Sequence, residues 1–567
     1  MIRWRKSRKQ RGFELNPDEI LLDAHNLPAF NTQQFEGRVE RPIRKQSLRL
    51  LFLITLAFSL IFVGKLVQIQ LVRGAYFAEK SDQNSLEHTL IFAGRGIIYD
   101  RSGVELAWND TTDPERGPRR SYISQGGFAS LLGYVSYPTK DSAGKFWQEY
   151  IAGKDGLEKE YNELLSGKNG VKLVETNVKG ELLAENVIEA PLEGKNLTLA
   201  LDAGVQEELY RGITALAAQS GYRGGAGAIM DIHTGELLAL TSFPQYDQAI
   251  LSDGTNKTAI ASYLKSSEKP FLNRTLNGLY TPGSIVKPFL ALGALQEGTI
   301  TPEKIIVSTG KLVIPNPYNL GLESVFKDNK AHGPVDMRRA LAVSSNVYFY
   351  QLGGGFGSQQ GLGIANIEKY ATLFGIGKKT GIDISGEKEG NIPSIAWKEK
   401  RFPGDPWRIG DTYNTSIGQY GFQVTPLQML RAVAGVASRG TLVTPRTVLL
   451  SASENSEKKP ETVSLPIKDE VFTVVQEGMR LCVTEGTCTA LQMSEMAIAA
   501  KTGTAQIKQN TRVNSWVIGF FPYEAPQYAF VVLMEDGPLI SSGAAHAIKP
   551  VFSWMRANRP ELLTLPQ

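Results

Sequence analysis

The sequence has few of the residues that build metal centres and disulfide frameworks. Its 567 residues include two cysteines, Cys482 and Cys488, and five histidines. Two cysteines cannot support a disulfide-dense small scaffold or a four-cysteine zinc site. The small number of histidines likewise gives little support to a metalloenzyme.

A strong excess of either charge is also absent. Lysine and arginine number 61 against 57 acidic residues, a formal net charge of +4, which does not indicate a dedicated nucleic-acid binder. Glycine and proline contents are ordinary, which excludes collagen-like and low-complexity chains. With 42% hydrophobic residues, the chain can bury real cores, and its length suits two to four domains of about 100–200 residues each.

One long apolar run lies near the N-terminus, at residues 48–67. Its two charged residues, Arg49 and Lys65, lie close enough to the ends for their charges to reach a membrane interface. A helix of this length crosses a hydrocarbon core of about 30 Å. A buried helix of a soluble protein fits this run less well than a membrane-spanning helix, because residues 50–64 have no polar face to expose to water. No small-residue cleavage site follows the run, so we predict an uncleaved transmembrane anchor at residues 48–70.

Basic residues upstream of the run predict its orientation. They cluster at residues 3–11 and 38–45, and the positive-inside rule therefore places the N-terminus in the cytoplasm. We predict a mostly flexible cytoplasmic tail at residues 1–47 and a single crossing, with everything from about residue 71 outside the cytoplasm.

Turn residues divide the exported part into hairpins and helices. Hairpins are predicted at residues 95–107, 225–242 and 515–534, helices at 156–165, 284–297, 337–352 and 426–438, and a loop at 108–127. The stretch 191–195 has the composition of a linker. The part of the chain after this linker has predicted strands at both ends and helices between them, which indicates an α+β fold.

Ser284 and Lys287 form an S-x-x-K pair in the stretch TPGSIVKP. At i,i+3 on a helix both side chains share one face, and a desolvated lysine beside a serine can act as the base that activates it. Taken alone the pair is weak evidence. A serine N-cap followed by a solvated lysine has the same pattern, which is expected about twice by chance in such a chain.

Two further motifs follow in the sequence. Ser344 and Asn346 form S-x-N, which is again common by chance or as a helix cap. Lys501, Thr502, Gly503 and Thr504 form K-T-G-T, a rarer pattern in which the glycine also allows a substrate to approach a strand edge closely.

These three motifs in this order are the signature of penicillin-binding proteins and serine β-lactamases. The chain resembles the class B penicillin-binding proteins, and within them the penicillin-binding protein 2 branch that serves cell-wall elongation. The stretches that carry the resemblance are RGIIYDRSGVELA, GLEKEYNELLSGKNG, GAIMDIHTGELLALTSFPQYD, NRTLNGLYTPGSIVKPF, WRIGDTYNTSIGQ and KTGTAQ. The W-x-x-G-D-T segment beginning at Trp407 favours the elongation branch over the division branch.

The resemblance implies an architecture. Behind a single transmembrane helix it implies an elongated, β-rich pedestal of the dimerisation type at residues 71–194. A transpeptidase domain with a central antiparallel sheet covered by helices follows at residues 195–567. The sequence departs from the family at two places. Between Ala107 and Leu131 there are only some two dozen residues, where family members usually carry the long insertion that builds the head of the pedestal, so a reduced head is implied. Tyr420 also follows S-I-G-Q where glycine is common.

The resemblance also implies residue roles in D,D-transpeptidation. Ser284 would attack the D-Ala-D-Ala carbonyl, and Lys287 would accept its proton, with a pKa lowered by burial and by the like charge of Lys501. Ser344 would relay a proton to the leaving amine. Backbone N–H groups of Ser284 and Thr504 would form the oxyanion hole. Asn346 would orient Lys287 and the substrate amide. Lys501, Thr502 and Thr504 would hold the terminal carboxylate, and Gly503 would also lie at the substrate. Neither a metal nor an organic cofactor is implied.

Location and partners follow from the same resemblance. We expect a single-pass protein of the bacterial cell membrane with a periplasmic or extracellular catalytic domain. Its partners would be peptidoglycan stem peptides, β-lactams, a SEDS-family glycan polymerase and the bilayer, and no nucleic acid.

Three alternatives stay open. A β-lactamase or D,D-carboxypeptidase would pass the acyl group to water, although the anchor, the pedestal and the long gap before K-T-G argue against a compact β-lactamase. A division-specific transpeptidase shares the motifs. A non-catalytic scaffold that activates a glycan polymerase is disfavoured because the catalytic set is complete. The two cysteines, in an oxidising compartment, are as compatible with a loop disulfide as with two separate thiols.

Overall fold

The computed structural model describes residues 45–78, 86–112, 118–142, 146–176, 182–315, 319, 321–450, 460–507, 510–539 and 543–563. The chain divides into two units, Met1–Glu87 with Thr176–Glu181, and His88–Glu175 with Leu182–Gln567. The predicted cytoplasmic tail lies outside the described residues except for residues 45–47, as do nearly all the basic residues that predict its orientation.

The first unit contains the predicted anchor. An α-helix at Lys45–Val67 continues as a π-helical turn at Gln68–Val72. Its large apolar side chains are exposed along its whole length, and the helix is long and apolar enough to cross a membrane. The helix therefore has the properties predicted for residues 48–70.

The N-terminal part of the second unit is built from short strands. Ile98–Tyr99 and Glu105–Asp110 form the hairpin predicted around the Asp-Arg-Ser-Gly turn, and Leu197–Thr198 pairs in parallel with the first of these strands. Arg119–Tyr122 pairs with the second. The prediction of a continuous loop at residues 108–127 is therefore wrong at residues 108–110 and 119–122, where strands with few apolar side chains pair with each other.

Other elements complete this part. The strands are Leu86–Ile91, Val135–Ser136, Thr139–Lys140, Phe146–Gln148, Ala152–Gly153, Gly170–Thr176 and Leu182–Glu189, and the helices are Ala129–Leu132, Gly156–Glu160 and Asn162–Leu165. The first, sixth and seventh of these strands form one sheet. The helix predicted over residues 156–165 is interrupted at Tyr161.

A buried cluster of charges holds this part together. The Glu158 carboxylate accepts from Nε of Arg95 at 2.5 Å and from Nε of Arg120 at 2.7 Å. Arg95 also donates to the backbone carbonyls of Ile151 and Glu158. All three charged side chains are fully buried. A buried charge is tolerated only when it is paired and hydrogen-bonded. Arg95, the first residue of R-G-I-I-Y-D-R, therefore has a structural role here.

The central sheet of the larger part has five antiparallel strands. Their order across the sheet is Leu237–Phe243, Gly224–Asp231, Tyr528–Pro538, Arg512–Phe521 and Ala499–Ile507. The hairpins predicted at residues 225–242 and 515–534 are both present in this sheet. The sheet therefore joins the first strands of this part of the chain to its last strands. The last strand in this order carries the K-T-G motif.

Helices cover both faces of the sheet. Ala203–Ser220 and Ala545–Asn558 pack on one face through an apolar cluster that includes Leu209, Phe530 and Phe552. Pro426–Ala437 packs on the other, where strand side chains of the opposite pleat belong to a second cluster. The predicted α+β fold, with an antiparallel sheet between helices, is confirmed.

The remaining elements surround this core. The helices are Gln248–Asp253, Lys257–Lys265, Gly283–Val286, Lys287–Gln296, Met337–Val343, Asn346–Gly354, Ile364–Leu373, Ile395–Arg401, Ile409–Ser416, Asp469–Glu485, Thr489–Leu491 and Pro560–Leu563. The strands are Ile306–Ser308, Lys311–Pro315, Glu323–Lys327, Gly333–Val335, Thr441–Val443 and Thr462–Ser464.

Candidate active site

Ser284 lies at the start of a helical segment, as predicted. It belongs to a 3-10 turn, Gly283–Val286, that leads into the α-helix Lys287–Gln296. Pro288 falls in the first turn of that helix, where a missing N–H leaves no hydrogen bond unmade.

Gly283 fixes this turn against neighbouring segments. Its N–H donates to the carbonyl of Gly418 at 3.0 Å. Its φ is +59°, and a Cβ atom would lie 2.9 Å from the carbonyl oxygen of Thr504. Glycine is the residue that tolerates both conditions, so the segment bearing Ser284 is held beside the K-T-G strand.

Lys287 brings the first two motifs together. Its Nζ, on a fully buried side chain, lies 2.8 Å from the backbone oxygen of Ser344, 3.3 Å from the Ser344 hydroxyl and 2.7 Å from Oδ1 of Asn346. The ring of Phe349 lies 5.2 Å from the same nitrogen. The amide oxygen of Asn346 thus accepts a hydrogen bond from the lysine, and the orienting role that the resemblance implies for Asn346 stays a prediction.

Ser344 lies where a predicted helix is broken. Residues 337–352 were expected to form one helix, but the structure has two, Met337–Val343 and Asn346–Gly354. Ser344 adopts the left-handed conformation with φ of +61°, and Ser345 caps the second helix. A non-glycine residue in this region is strained, which is common at functional sites.

Lys501 completes the convergence. Its Nζ donates to the Ser344 hydroxyl at 2.8 Å and to the backbone oxygen of Thr502 at 2.8 Å. The Ser344 hydroxyl therefore lies between the two lysine nitrogens. The third motif is joined to the second across 157 residues of sequence.

Gly503 is buried against the segment that bears Ser284. A Cβ atom there would lie 2.9 Å from Ile285 and 2.9 Å from the backbone oxygen of Pro282. The close approach that this glycine permits is thus with the protein's own chain, and its predicted contact with substrate stays a prediction. Thr504 is exposed on the same strand. Ser284, Asn346 and Thr504 line a cavity of about 660 Å³, and Ser284, Ser344, Asn346, Thr502, Gly503 and Thr504 line an adjoining one of about 340 Å³.

Burial changes the protonation of both lysines. It lowers the pKa of Lys287 to about 7, although the carboxylate of Asp328 acts to raise it. Burial, and then the like charge of Lys287, lower the pKa of Lys501 well below its ordinary value. Repulsion between two ammonium groups is mutual, so each lysine disfavours the charged form of the other.

Asp328 is a residue of the site that sequence reasoning missed. Its fully buried carboxylate accepts from the N–H groups of Asn346 at 2.8 Å and Val347 at 3.0 Å, and from the hydroxyl of Ser345 at 2.8 Å. Burial acts to raise the pKa of Asp328, but these hydrogen bonds outweigh it and the pKa is lowered. The carboxylate therefore stays charged at the start of the helix that carries Asn346.

Tyr420 forms part of the wall of the larger cavity. It has a φ of +60°, and its ring lies 5.8 Å from Trp397 and 5.7 Å from Trp407. Lys398, itself 2.6 Å from Asp411 of the W-x-x-G-D-T segment, lies over the same ring. The segment that distinguishes the branch thus supports an aromatic wall of the site.

The two cysteines form a disulfide, which resolves the alternatives that the sequence left open. Both are fully buried, and their Cα atoms lie 5.1 Å apart. The bridge closes a short loop at the end of the helix Asp469–Glu485.

Comparisons with known proteins agree with this geometry. The family profile of the penicillin-binding protein transpeptidase domain matches residues 225–554, and that of the penicillin-binding protein dimerisation domain matches residues 112–199. The peptidoglycan D,D-transpeptidase MrdA of Haemophilus influenzae is 30% identical, over 78% of this chain and 70% of that protein. MrdA of Acinetobacter baumannii is 32% identical over 76% of this chain, and the match spans 65% of that protein.

Solved structures give the same result. Penicillin-binding protein 2 of Pseudomonas aeruginosa, in complex with WCK 5153, has a TM-score of 0.68 and 28% identity, covering 84% of this chain and 98% of that one. Penicillin-binding protein 2 in its complex with MreC from Helicobacter pylori has a TM-score of 0.67 and 26% identity, covering 84% and 99%. A chain from a peptidoglycan synthase complex that coordinates polymerization and crosslinking has a TM-score of 0.68 and 26% identity, covering 90% and 98%.

The fold and site define a serine acyl-transfer enzyme with a penicillin-binding architecture. The chain belongs to the class B penicillin-binding proteins of the penicillin-binding protein 2 type, which are peptidoglycan D,D-transpeptidases. The predicted family and the elongation branch are confirmed by these relatives.

Proposed function

We propose that this chain cross-links peptidoglycan stem peptides outside the cytoplasm, with Ser284 as the nucleophile. The observation that carries the proposal is the position of the Ser344 hydroxyl. It lies 3.3 Å from Nζ of Lys287 and 2.8 Å from Nζ of Lys501, so three distant motifs form one proton-transfer network beside the cavity that Ser284 lines.

Lys287 is the general base in this proposal. At a pKa of about 7, a large fraction of its side chain is neutral at physiological pH, and a neutral amine has a lone pair to accept a proton. Two of its short contacts, to the oxygens of Ser344 and Asn346, take its two N–H groups. The lone pair of the neutral amine is then left to accept a proton from a hydroxyl group.

Acylation forms one bond and breaks another. The Ser284 Oγ atom attacks the carbonyl carbon between the two terminal D-alanines and gives its proton to Lys287. The C–N bond breaks, Ser344 gives its hydroxyl proton to the nitrogen of the leaving D-alanine, and Lys287 passes the proton that it took from Ser284 to Ser344. Ser344 is suited to this step because its hydroxyl can accept from Lys501 while it donates elsewhere. The oxygen of the tetrahedral intermediate would be held by the N–H groups of Ser284 and Thr504.

Deacylation reverses the proton path. The amine of a second stem peptide attacks the ester carbonyl, loses a proton through the same network, and releases Ser284 with its proton restored. A β-lactam would acylate Ser284 in the same way, but its opened ring stays attached and obstructs the acceptor. We therefore expect a long-lived adduct.

Lys501, Thr502 and Thr504 would bind the terminal carboxylate of the donor. This carboxylate would stabilise the charged form of Lys501 against the burial that lowers its pKa. A charged Lys501 would in turn favour the neutral form of Lys287, which is the form needed for catalysis.

Topology and partners belong to the same proposal. The helix Lys45–Val72 would anchor the chain with its N-terminus in the cytoplasm, a pedestal would occupy residues 71–194, and the transpeptidase domain residues 195–567. A SEDS-family glycan polymerase would act beside it during cell-wall elongation. Support comes from the synthase complex and the MreC complex in which related chains were solved.

A cross-linking assay tests the proposed function. Purified full-length protein is incubated with peptidoglycan strands that carry pentapeptide stems, and the products are separated by chromatography and mass. We expect cross-linked stems and released D-alanine in equal amounts, with neither formed by Ser284→Ala.

Other products would identify the alternatives. Tetrapeptide stems without cross-links would show that the acyl group goes to water, as in a carboxypeptidase. The absence of both products from the wild-type protein, together with stimulation of a glycan polymerase, would show a scaffold.

A further inference from the structure

The disulfide loop, residues 482–488, contacts the K-T-G motif and the segment just before the S-x-N motif without belonging to either. The N–H of Thr487 donates to the carbonyl of Ala342 at 3.1 Å, two residues before Ser344. The hydroxyl of Thr487 lies 2.5 Å from the hydroxyl of Thr502 in K-T-G. Thr487 also lines the smaller cavity together with Ser284.

The chain is built to hold Thr487 in this place. A Cβ atom on Gly486 would lie 2.1 Å from the carbonyl oxygen of Ala342, so only glycine lets the loop approach so closely. Cys482 and Cys488, both fully buried, close the loop covalently and anchor it to the helix Asp469–Glu485. The position of the Thr487 hydroxyl is therefore fixed from both sides.

The direction of the hydrogen bond between the two threonines matters for the site. Each hydroxyl has one proton to donate. The Thr487 oxygen lies 3.3 Å from Sγ of Cys482 as well, but a bridged sulfur carries no proton and is only a weak acceptor. Either hydroxyl can be the donor in the contact between the two threonines. A carboxylate carries no proton, so Thr502 must donate to a carboxylate that it binds, and Thr487 must then donate to Thr502.

We propose that Thr487 is a positioning residue for recognition of the donor carboxylate. By donating to Thr502, it leaves the Thr502 proton available for the carboxylate, and the disulfide keeps it in place. This inference rests on the proposed function, in which Thr502 binds that carboxylate.

The test compares two probes that differ only in the carboxylate. Second-order acylation rates of the full-length protein are measured with benzylpenicillin and with its methyl ester. In both cases a bond forms between Ser284 Oγ and the lactam carbonyl carbon, the lactam C–N bond breaks, and the nitrogen takes a proton. The ratio of the two rates measures the preference for the carboxylate.

Thr487→Val should lower this ratio about tenfold, the order of effect expected for a hydrogen bond to a charged group, with the ester rate nearly unchanged. Thr487→Ser should restore the ratio to within about twofold of the wild type. The matched control is Thr484→Val, since Thr484 bonds to a carbonyl of its own helix. Cys482→Ala combined with Cys488→Ala should lower the ratio in the same direction.

The outcomes separate the inference from the proposed function. An unchanged ratio in Thr487→Val, or an equal loss with both probes, would overturn the positioning role. A wild-type ratio in the double cysteine variant would overturn the part assigned to the disulfide. If the wild-type protein is acylated by neither probe, it is the proposed function that fails.

Discussion

Lys287→Arg is expected to reduce acylation by penicillin about a hundredfold to ten-thousandfold while keeping a positive charge in the site. Arginine does not lose its proton in a protein, so it cannot serve as a base, and general bases contribute about 10²–10⁴-fold. The measurement is the second-order rate of labelling with a fluorescent penicillin.

Lys327→Arg provides the matched control. Lys327 is exposed and lines the larger cavity with Ser284, but contacts neither Ser344 nor Lys501 in the proton network described above. This variant should stay within about twofold of the wild type. Thermal unfolding of both variants checks that the bulkier side chain is tolerated in the buried position. A rate for Lys287→Arg within tenfold of the wild type would show that the base lies elsewhere.

The rate of acylation is expected to fall about tenfold for each pH unit below pH 7. Lys287, with a pKa of about 7, must be neutral to accept the Ser284 proton, and each unit below the pKa reduces the neutral fraction about tenfold. Between pH 8 and pH 5 the loss should approach a hundredfold. The profile of the second-order rate against pH reports groups of the free enzyme.

Asp328→Asn distinguishes the electrostatic part of this effect from a structural one. The carboxylate of Asp328 acts to raise the pKa of Lys287, so its removal should move the midpoint of the profile to lower pH. Asparagine keeps only one acceptor oxygen, so the loss of one of the hydrogen bonds from the N–H groups of Asn346 and Val347 should also reduce the maximal rate. A reduced rate with an unmoved midpoint would assign Asp328 a structural role alone. A flat profile in the wild type would contradict the assignment of Lys287 as base.

The hairpins and the three motifs were predictable because their signals are local. Alternating apolar residues around short turns predict the strand pairs of the central sheet, and Pro288 with Gly283 predicts the helix start at Ser284. Fold class followed from the order of these elements along the chain.

Other features depend on contacts between distant segments and left no local signal. Nothing around Asp328 in the sequence distinguishes it from a surface aspartate, and its role depends on the helix that begins at Asn346. The break at Ser344 is hidden because apolar residues flank it on both sides as they would in one helix. Thr487 and the pairing of the cysteines depend on the packing of the helix Asp469–Glu485 against the S-x-N segment.

The role of Ser284 as nucleophile can be measured from the mass of the intact protein after reaction with penicillin. We expect one adduct of the mass of one penicillin, stable for many times the period of its formation, and located on Ser284 by peptide mapping. Ser284→Ala should carry no adduct under the same conditions. An adduct that persists in Ser284→Ala would show that another residue is acylated, and rapid turnover of penicillin by the wild-type protein would show a β-lactamase.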